Sequence, residues 1–166
     1  MKKKIITYSM RSILALTIIV FCIACDQVTK LVAKHYLATA QPINVLGDTV
    51  RLLYVENTGA FFSIGDRLPE QTRLVLFTVA VGLVLLCVAI YVLFAKTINL
   101  TSIVGLALIS GGGLSNLLDR FLNNGAVIDF MNFGIGALRT GVFNIADLFI
   151  AAGIVMLFFD RSLHKK

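Results

Sequence analysis

Two aspartates raise the chemical question. Asp147 lies in the apolar run 142–159, VFNIADLFIAAGIVMLFF, with no lysine or arginine within a helical turn. An ionised carboxylate at mid-bilayer costs at least about 2.5 kcal/mol, so its presence there needs a polar neighbourhood or a chemical role. Asp129 lies just upstream in the β-forming run 126–133, AVIDFMNF. Two carboxylates brought together at low dielectric cannot both ionise cheaply, so they share a proton. One then serves as general base on a water while the other, protonated, polarises a carbonyl. That is the chemistry of an aspartic dyad, with Asp129 and Asp147 as the natural pair. Competing chemistries lack their residues. His35 and His164 fall on opposite sides of the expected topology, Ser110 has no evident base, and no G-x-S-x-G elbow occurs. Cys22, Cys25 and Cys87 all sit in apolar runs and fit neither a disulfide framework nor metal-ligand spacing, so they read as small buried hydrophobes.

Other polar residues gather around the two aspartates. Asp26 and Lys30 are four apart, so they share a helix face and can pair. Asn116 and Arg120 have the same spacing, with Asp119 beside them, and Asn144 precedes Asp147 by three. Asn57 ends a strand-like run beginning at Val50. Each has a plain structural alternative. Asp26–Lys30 reads equally as a helix-end pair, and Asn116 and Asn144 as interhelical hydrogen-bond donors. Arg120 can snorkel toward headgroups, and Asp129 can be a solvated strand residue. What the alternatives leave unexplained is that all these residues fall at one depth.

That depth follows from the elements that carry them. Of 166 residues, 58% are hydrophobic and only 14% charged, against about 25% charged in a soluble domain. The chain reads as a membrane protein in a single domain, 1–166. The formal charge of +6 forms no basic face with interleaved aromatics, so no nucleic-acid partner is expected. Spanning helices need about 20 apolar residues. Four are expected, at about 12–31, 74–95, 98–118 and 142–159, with outer segments at about 33–73 and 119–141. The N-terminus, the turn at Lys96 and the C-terminus carry eight basic residues against Asp160 alone, leaving seven basic and eight acidic elsewhere. The inside-positive bias then puts both termini in the cytoplasm and the polar cluster near the outer face. Val50–Val55 and 126–133 predict a small sheet or cradle there, and 63–74 a short interfacial helix. The expected class is an all-α membrane protein: a four-helix transmembrane bundle with a small extracytoplasmic β-cradle and an interfacial helix. Residues 1–25 also admit a cleaved lipoprotein-type signal peptide ending at Cys25. Cys22 in place of an aliphatic, and the apolar Leu31-Val32-Ala33 downstream where a polar linker is usual, favour a retained span.

Five blocks now stand in order: Asp26-Gln27-Val28-Thr29-Lys30, Asn57-Thr58-Gly59-Ala60-Phe61-Phe62, Asn116-Leu117-Leu118-Asp119-Arg120, Val127-Ile128-Asp129-Phe130, and Phe143-Asn144-Ile145-Ala146-Asp147. Together they resemble the D-Q-x-x-K, N-x-G-A-x-F, N-x-x-D-R, V-x-D-F and F-N-x-A-D motifs of the bacterial lipoprotein signal peptidases (signal peptidase II). Each block alone is weak; five in sequence over nearly the whole chain are specific. One departure is Ser115, where the family more often has glycine. The resemblance implies an aspartic endopeptidase of the bacterial cytoplasmic (inner) membrane. Such an enzyme removes the signal peptide from diacylglyceryl-modified prolipoproteins, cutting just before the lipid-bearing cysteine. It implies Asp129 and Asp147 as the catalytic pair and Asn57, Gly59, Asn116, Arg120 and Asn144 in substrate binding. Asp26, Lys30 and Asp119 would act in support. It implies no metal or organic cofactor, membrane lipids as surroundings, globomycin-type cyclic peptides as inhibitors, and a monomer. The segment from Asn57 to Ile64, with Gly59 and Gly65 as flexible points, is expected to act as a lid. A small transporter using the same carboxylates is disfavoured by the scarcity of polar groups in the inner halves of the spans, and a passive scaffold does not explain their convergence.

Overall fold

The computed structural model describes residues 8–95 and 98–160. Its elements run α1 (Tyr8–Leu37), β1 (Ile43–Val45), β2 (Val50–Asn57), a 3-10 turn (Phe61–Ser63), α2 (Glu70–Arg73), a π-helical stretch (Leu74–Ala80), α3 (Val81–Phe94), α4 (Leu100–Leu122), β3 (Val127–Ile135), β4 (Leu138–Arg139) and α5 (Ile145–Phe158). Backbone dihedrals stay helical across both junctions from Arg73 to Val81, so α2, the π stretch and α3 form one rod. Among the described residues, three helices are long and apolar enough to cross a membrane, and Ile145–Phe158 is a shorter apolar helix. Lys2, Lys3, Lys4, Lys96, Arg161, Lys165 and Lys166, on which the expected sidedness largely rests, lie outside the described residues.

Two expectations are corrected. The span expected at 142–159 starts as helix only at Ile145, because Asn144 is its N-cap in extended conformation. Residues ahead of it pair with β3 instead: the Phe143 N–H donates to the Met131 carbonyl at 2.9 Å, and the Met131 N–H donates back at 2.9 Å. The interfacial helix expected at 63–74 does not form as a separate element. Pro69, extended at ψ 144, caps α2, and residues from Glu70 onward belong to the spanning rod. Ahead of it the chain turns tightly, with Phe62, Ser63 and Gly65 at positive φ. The Arg73 guanidinium closes this loop by donating to Thr58 Oγ1 at 3.0 Å and the Asp66 carbonyl at 2.7 Å.

The four strands form one antiparallel sheet in the order β1-β2-β3-β4. Its underside meets the end of α1, where Ala33, Leu37 and Phe130 are buried together. β2 pairs Asn57 with Val127 and Val55 with Asp129. Asn57 and Asp129 are therefore diagonal neighbours on one face of the sheet, within side-chain reach.

Three successive glycines of α4 each meet a different neighbour. A Cβ on Gly111 would lie 2.6 Å from Cys22 Cβ of α1, one on Gly112 would overlap the Ala146 carbonyl of α5, and one on Gly113 would lie 2.9 Å from Leu85 Cδ2 of α3. Small residues let helices approach where the lipid offers no hydrophobic drive. Cys22 is buried there as expected, whereas Cys25 is half-buried and Cys87 is exposed on α3. Farther along, Ala15, Val92, Ile103 and Ala107 make an apolar core. Beyond it the opposite end is tied by Arg11 donating to the Ala95 carbonyl at 2.8 Å and by Asn99 and Ser102 donating to Asp160 at 2.8 and 2.7 Å.

Gly112→Val forces α4 from α5 and should lower stability by at least about 2 kcal/mol, read as thermal unfolding in detergent. Gly82→Ala, whose Cβ would meet only Leu117 at 3.8 Å, should leave the melting temperature unchanged or higher.

Candidate active site

The site is built upward from one buried ammonium. Lys30, on the half of α1 nearest the sheet, is 1% exposed. Its Nζ reaches Asp26 Oδ2 at 2.6 Å, Asp119 Oδ2 at 2.8 Å and Asn116 Oδ1 at 2.9 Å. Three protons meet three acceptors. The expected i,i+4 pair is thus present but forms part of a larger cluster. Both carboxylates also accept from neutral donors: Ser115 Oγ to Asp26 Oδ2 at 2.7 Å, the Ala146 N–H to Asp26 Oδ1 at 2.8 Å, Gln27 Nε2 to Asp119 Oδ1 at 2.8 Å, and the Ile128 N–H to Asp119 Oδ2 at 3.0 Å. These bonds join α1, α4, α5 and β3.

Three asparagines carry that order to the two aspartates. Asn116 Oδ1 accepts from Lys30, so its Nδ2 faces Asp147 and donates to Oδ1 at 3.0 Å. Asn144 Oδ1 accepts from the Asp147 N–H at 3.0 Å, while its own N–H donates to Asp147 Oδ2 at 3.2 Å, a reciprocal capping box at the start of α5. Its Nδ2 is thereby turned outward from the helix and donates to Asp129 Oδ1 at 2.7 Å and to Asn116 Oδ1 at 3.1 Å. Asn57 Oδ1 accepts from the Gly59 N–H at 2.9 Å, and its Nδ2 donates to Asp129 Oδ2 at 2.8 Å. In each asparagine a fixed donor claims the oxygen, so the amide NH2 points at a carboxylate.

Asp129 and Asp147 are therefore drawn to either side of Asn144. Asp129 is 2% exposed. Burial pushes its carboxyl up to about 7, and the charge of Asp147 adds to that rise against the Asn57 and Asn144 N–H groups and the more distant Lys30. A group shifted in this way, held by a second carboxylate, is suited to proton transfer near neutral pH. Arg120 lies alongside: its Nη2 donates to the Gly59 carbonyl at 2.8 Å, its guanidinium carbon stands 6.0 Å from the Phe77 ring centre, and its Nε is buried without a partner. An open cleft of about 510 Å³ adjoins it, lined by Thr58, Glu70, Arg73, Leu74 and Thr78 among others.

All the residues singled out by their sequence positions meet at this end of the bundle: Asp26, Lys30, Asn57, Gly59, Asn116, Asp119, Arg120, Asp129, Asn144 and Asp147. Sequence reasoning missed Gln27, Ser115 and Arg73 as members of the network. Gln27 and Ser115 sit next to singled-out residues, Asp26 and Asn116, but no helix spacing marks a glutamine on α1 as facing a serine on α4. Arg73 was assigned to an interfacial helix and instead ties the loop to the spanning rod.

A sheet laid across one end of apolar helices, with Asp129 of β3 and Asp147 of α5 held by one asparagine, defines an integral membrane protein with an enzyme-like site. A solved bacterial membrane enzyme, determined by the in meso method, has this fold: it superposes with a TM-score of 0.76 at 25% identity, covering 92% of this chain and 91% of that one. The family model described as signal peptidase (SPase) II matches residues 18–163. The lipoprotein signal peptidase of Treponema denticola is 40% identical over 137 residues, 77% of this chain and 76% of that protein. That of Caldicellulosiruptor bescii is 37% identical over 134 residues, 81% of each. The chain belongs to the signal peptidase II family of peptidases.

Lys30→Met leaves two carboxylates buried without their shared cation and should cost about 3–5 kcal/mol of stability, measured by thermal unfolding. Removing Arg51 from its half-exposed pair with Asp48 (38% and 36% exposed) should hardly move the melting temperature.

Proposed function

We propose that this protein is an aspartic endopeptidase that removes the signal peptide from diacylglyceryl-modified prolipoproteins, cutting just before the lipid-bearing cysteine. The observation that carries the aspartic chemistry is that Asn144 holds both Asp129, which is buried, and Asp147, which is half-buried. Membership of the signal peptidase II family and relatives named lipoprotein signal peptidase support the substrate.

In this mechanism a water sits between the carboxyl groups. Asp147 removes its proton as the water attacks the scissile carbonyl. Asp129, neutral, donates a hydrogen bond to the carbonyl oxygen as negative charge develops there. Collapse of the tetrahedral intermediate returns a proton to the leaving nitrogen and frees the cysteine-bearing end. Asn57, Asn116 and Asn144 keep both carboxyl groups oriented through the cycle. Gly59 and Arg120, joined by the 2.8 Å bond between them, flank the entry and hold the substrate backbone. The loop that Arg73 ties down serves as the lid.

The setting suits a substrate that is half lipid. The site lies at the end of apolar helices, so the acyl chains and signal helix approach through the bilayer while water arrives from the sheet side. The working location is the outer face of the bacterial cytoplasmic membrane, with both termini cytoplasmic. Globomycin-type cyclic peptides should compete for the same cleft.

Purified protein should cleave a lipid-modified prolipoprotein, and Asp129→Asn or Asp147→Asn alone should reduce kcat by more than about 10³ with folding intact. Full turnover by either variant rules out the dyad. The neutral form of Asp129 is present below about 7 and is lost as pH rises through that value. The kcat of the wild type should therefore fall on the alkaline side with an apparent midpoint near 7, and a flat profile between pH 6 and 8.5 would remove Asp129 as the proton carrier.

A further inference from the structure

Ser115 takes no part in the two-carboxylate chemistry, yet it is fully buried, at 0% exposed, beside the ion cluster. Its Oγ accepts from Gln27 Nε2 at 3.0 Å and donates to Asp26 Oδ2 at 2.7 Å. A hydroxyl has a single proton, so that proton is committed to Asp26. Asp26 reaches Asp147 by two routes. Through Oδ1 it holds the Ala146 N–H at 2.8 Å, in the first turn of α5 and adjacent to Asp147. Through Oδ2 it holds Lys30 Nζ at 2.6 Å, Lys30 holds Asn116 Oδ1 at 2.9 Å, and Asn116 Nδ2 donates to Asp147 Oδ1 at 3.0 Å. The plane of the Asp26 carboxylate sets both routes at once.

Resting on the dyad reading above, we propose that Ser115 is a positioning residue for the cleavage step. Its hydroxyl fixes the plane of the Asp26 carboxylate, so that Lys30, held also by Asp119, stays in line with Asn116 Oδ1. Without the hydroxyl, Asp26 Oδ2 keeps Lys30 alone. The carboxylate is then free to turn and the ammonium moves with it, the bond to Asn116 Oδ1 lengthens, and the Asn116 amide loses the contact that sets its orientation. The donor on Asp147 is then misaligned although no atom of Ser115 touches the substrate.

The test compares Ser115→Ala and Ser115→Thr with wild type on a lipid-modified prolipoprotein. Intact sites are counted by titration with a globomycin-type inhibitor. Ser115→Ala should lose about tenfold in kcat per titrated site, the scale of a misplaced catalytic group, with KM within twofold and the melting temperature within a few degrees. Ser115→Thr, which keeps the hydroxyl, should recover kcat per site. A residue that only fills space would lower the number of titratable sites and leave kcat per site unchanged, and that result overturns the proposal. Equal losses in the Ala and Thr variants, or no titratable sites in any variant, assign the residue to packing and overturn it too. Asp147→Asn in the same assay isolates the underlying reading: normal cleavage by that variant would fail the dyad, whatever Ser115 does.

Discussion

The rest of the site depends on one ammonium kept away from water. Lys30 gives its three protons to Asp26, Asp119 and Asn116, and those partners sit on two helices. Burying an ion costs several kcal/mol even after relaxation, and the cost is offset only where geometry and further hydrogen bonds are complete. Here they are: every oxygen of the two carboxylates accepts from Lys30, a side chain or a backbone N–H. Those N–H groups come from β3 and from α5, so the condition that satisfies the ion cluster also fixes where the sheet and the last helix begin. Such a cluster, satisfied in few arrangements, is a better anchor for two carboxylates than apolar packing, which permits sliding.

Asparagine is the connecting residue for a physical reason. Its amide has an acceptor end and a donor end, and a strong donor at one end dictates what the other presents. Lys30, the Asp147 N–H and the Gly59 N–H claim the three oxygens. Reversing any of these amides would set its NH2 against the donor and its oxygen against a carboxylate. The order imposed by a cation on α1 thus arrives at Asp129 and Asp147 as aimed N–H groups. These oppose, without cancelling, the effect of burial on Asp129, and so its carboxyl lies near neutrality.

Close helix approach makes the cluster possible. Gly111, Gly112 and Gly113 place the backbone of α4 against α1, α5 and α3 in turn, and the residues just after them, Ser115, Asn116 and Asp119, inherit those short distances. At the other end Arg11, Asn99, Ser102 and Asp160 tie the helices again, with the apolar cluster around Ile103 between. Polar contacts at both ends and small residues between them hold a bundle that lipid does not squeeze together.

Much was legible in the sequence because it rests on local periodicity and cost. Apolar runs of spanning length, the i,i+4 pair Asp26–Lys30, the β-forming runs at Val50 and Val127, and a carboxylate where none should be cheap are all local signals. They marked the helices, the sheet and the aspartates. Boundaries that depend on long-range pairing were not legible: Phe143 joins β3 rather than α5 because Met131 offers it backbone partners, and 63–74 is loop and rod because Pro69 and the reach of Arg73 decide it. Nor were Gln27 and Ser115, whose roles come from an encounter between helices almost ninety residues apart. The sequence alone determined which residues were too polar for their surroundings. Only the tertiary structure decided which of them share protons, because a hydrogen bond is set by angstroms between elements and not by spacing within one.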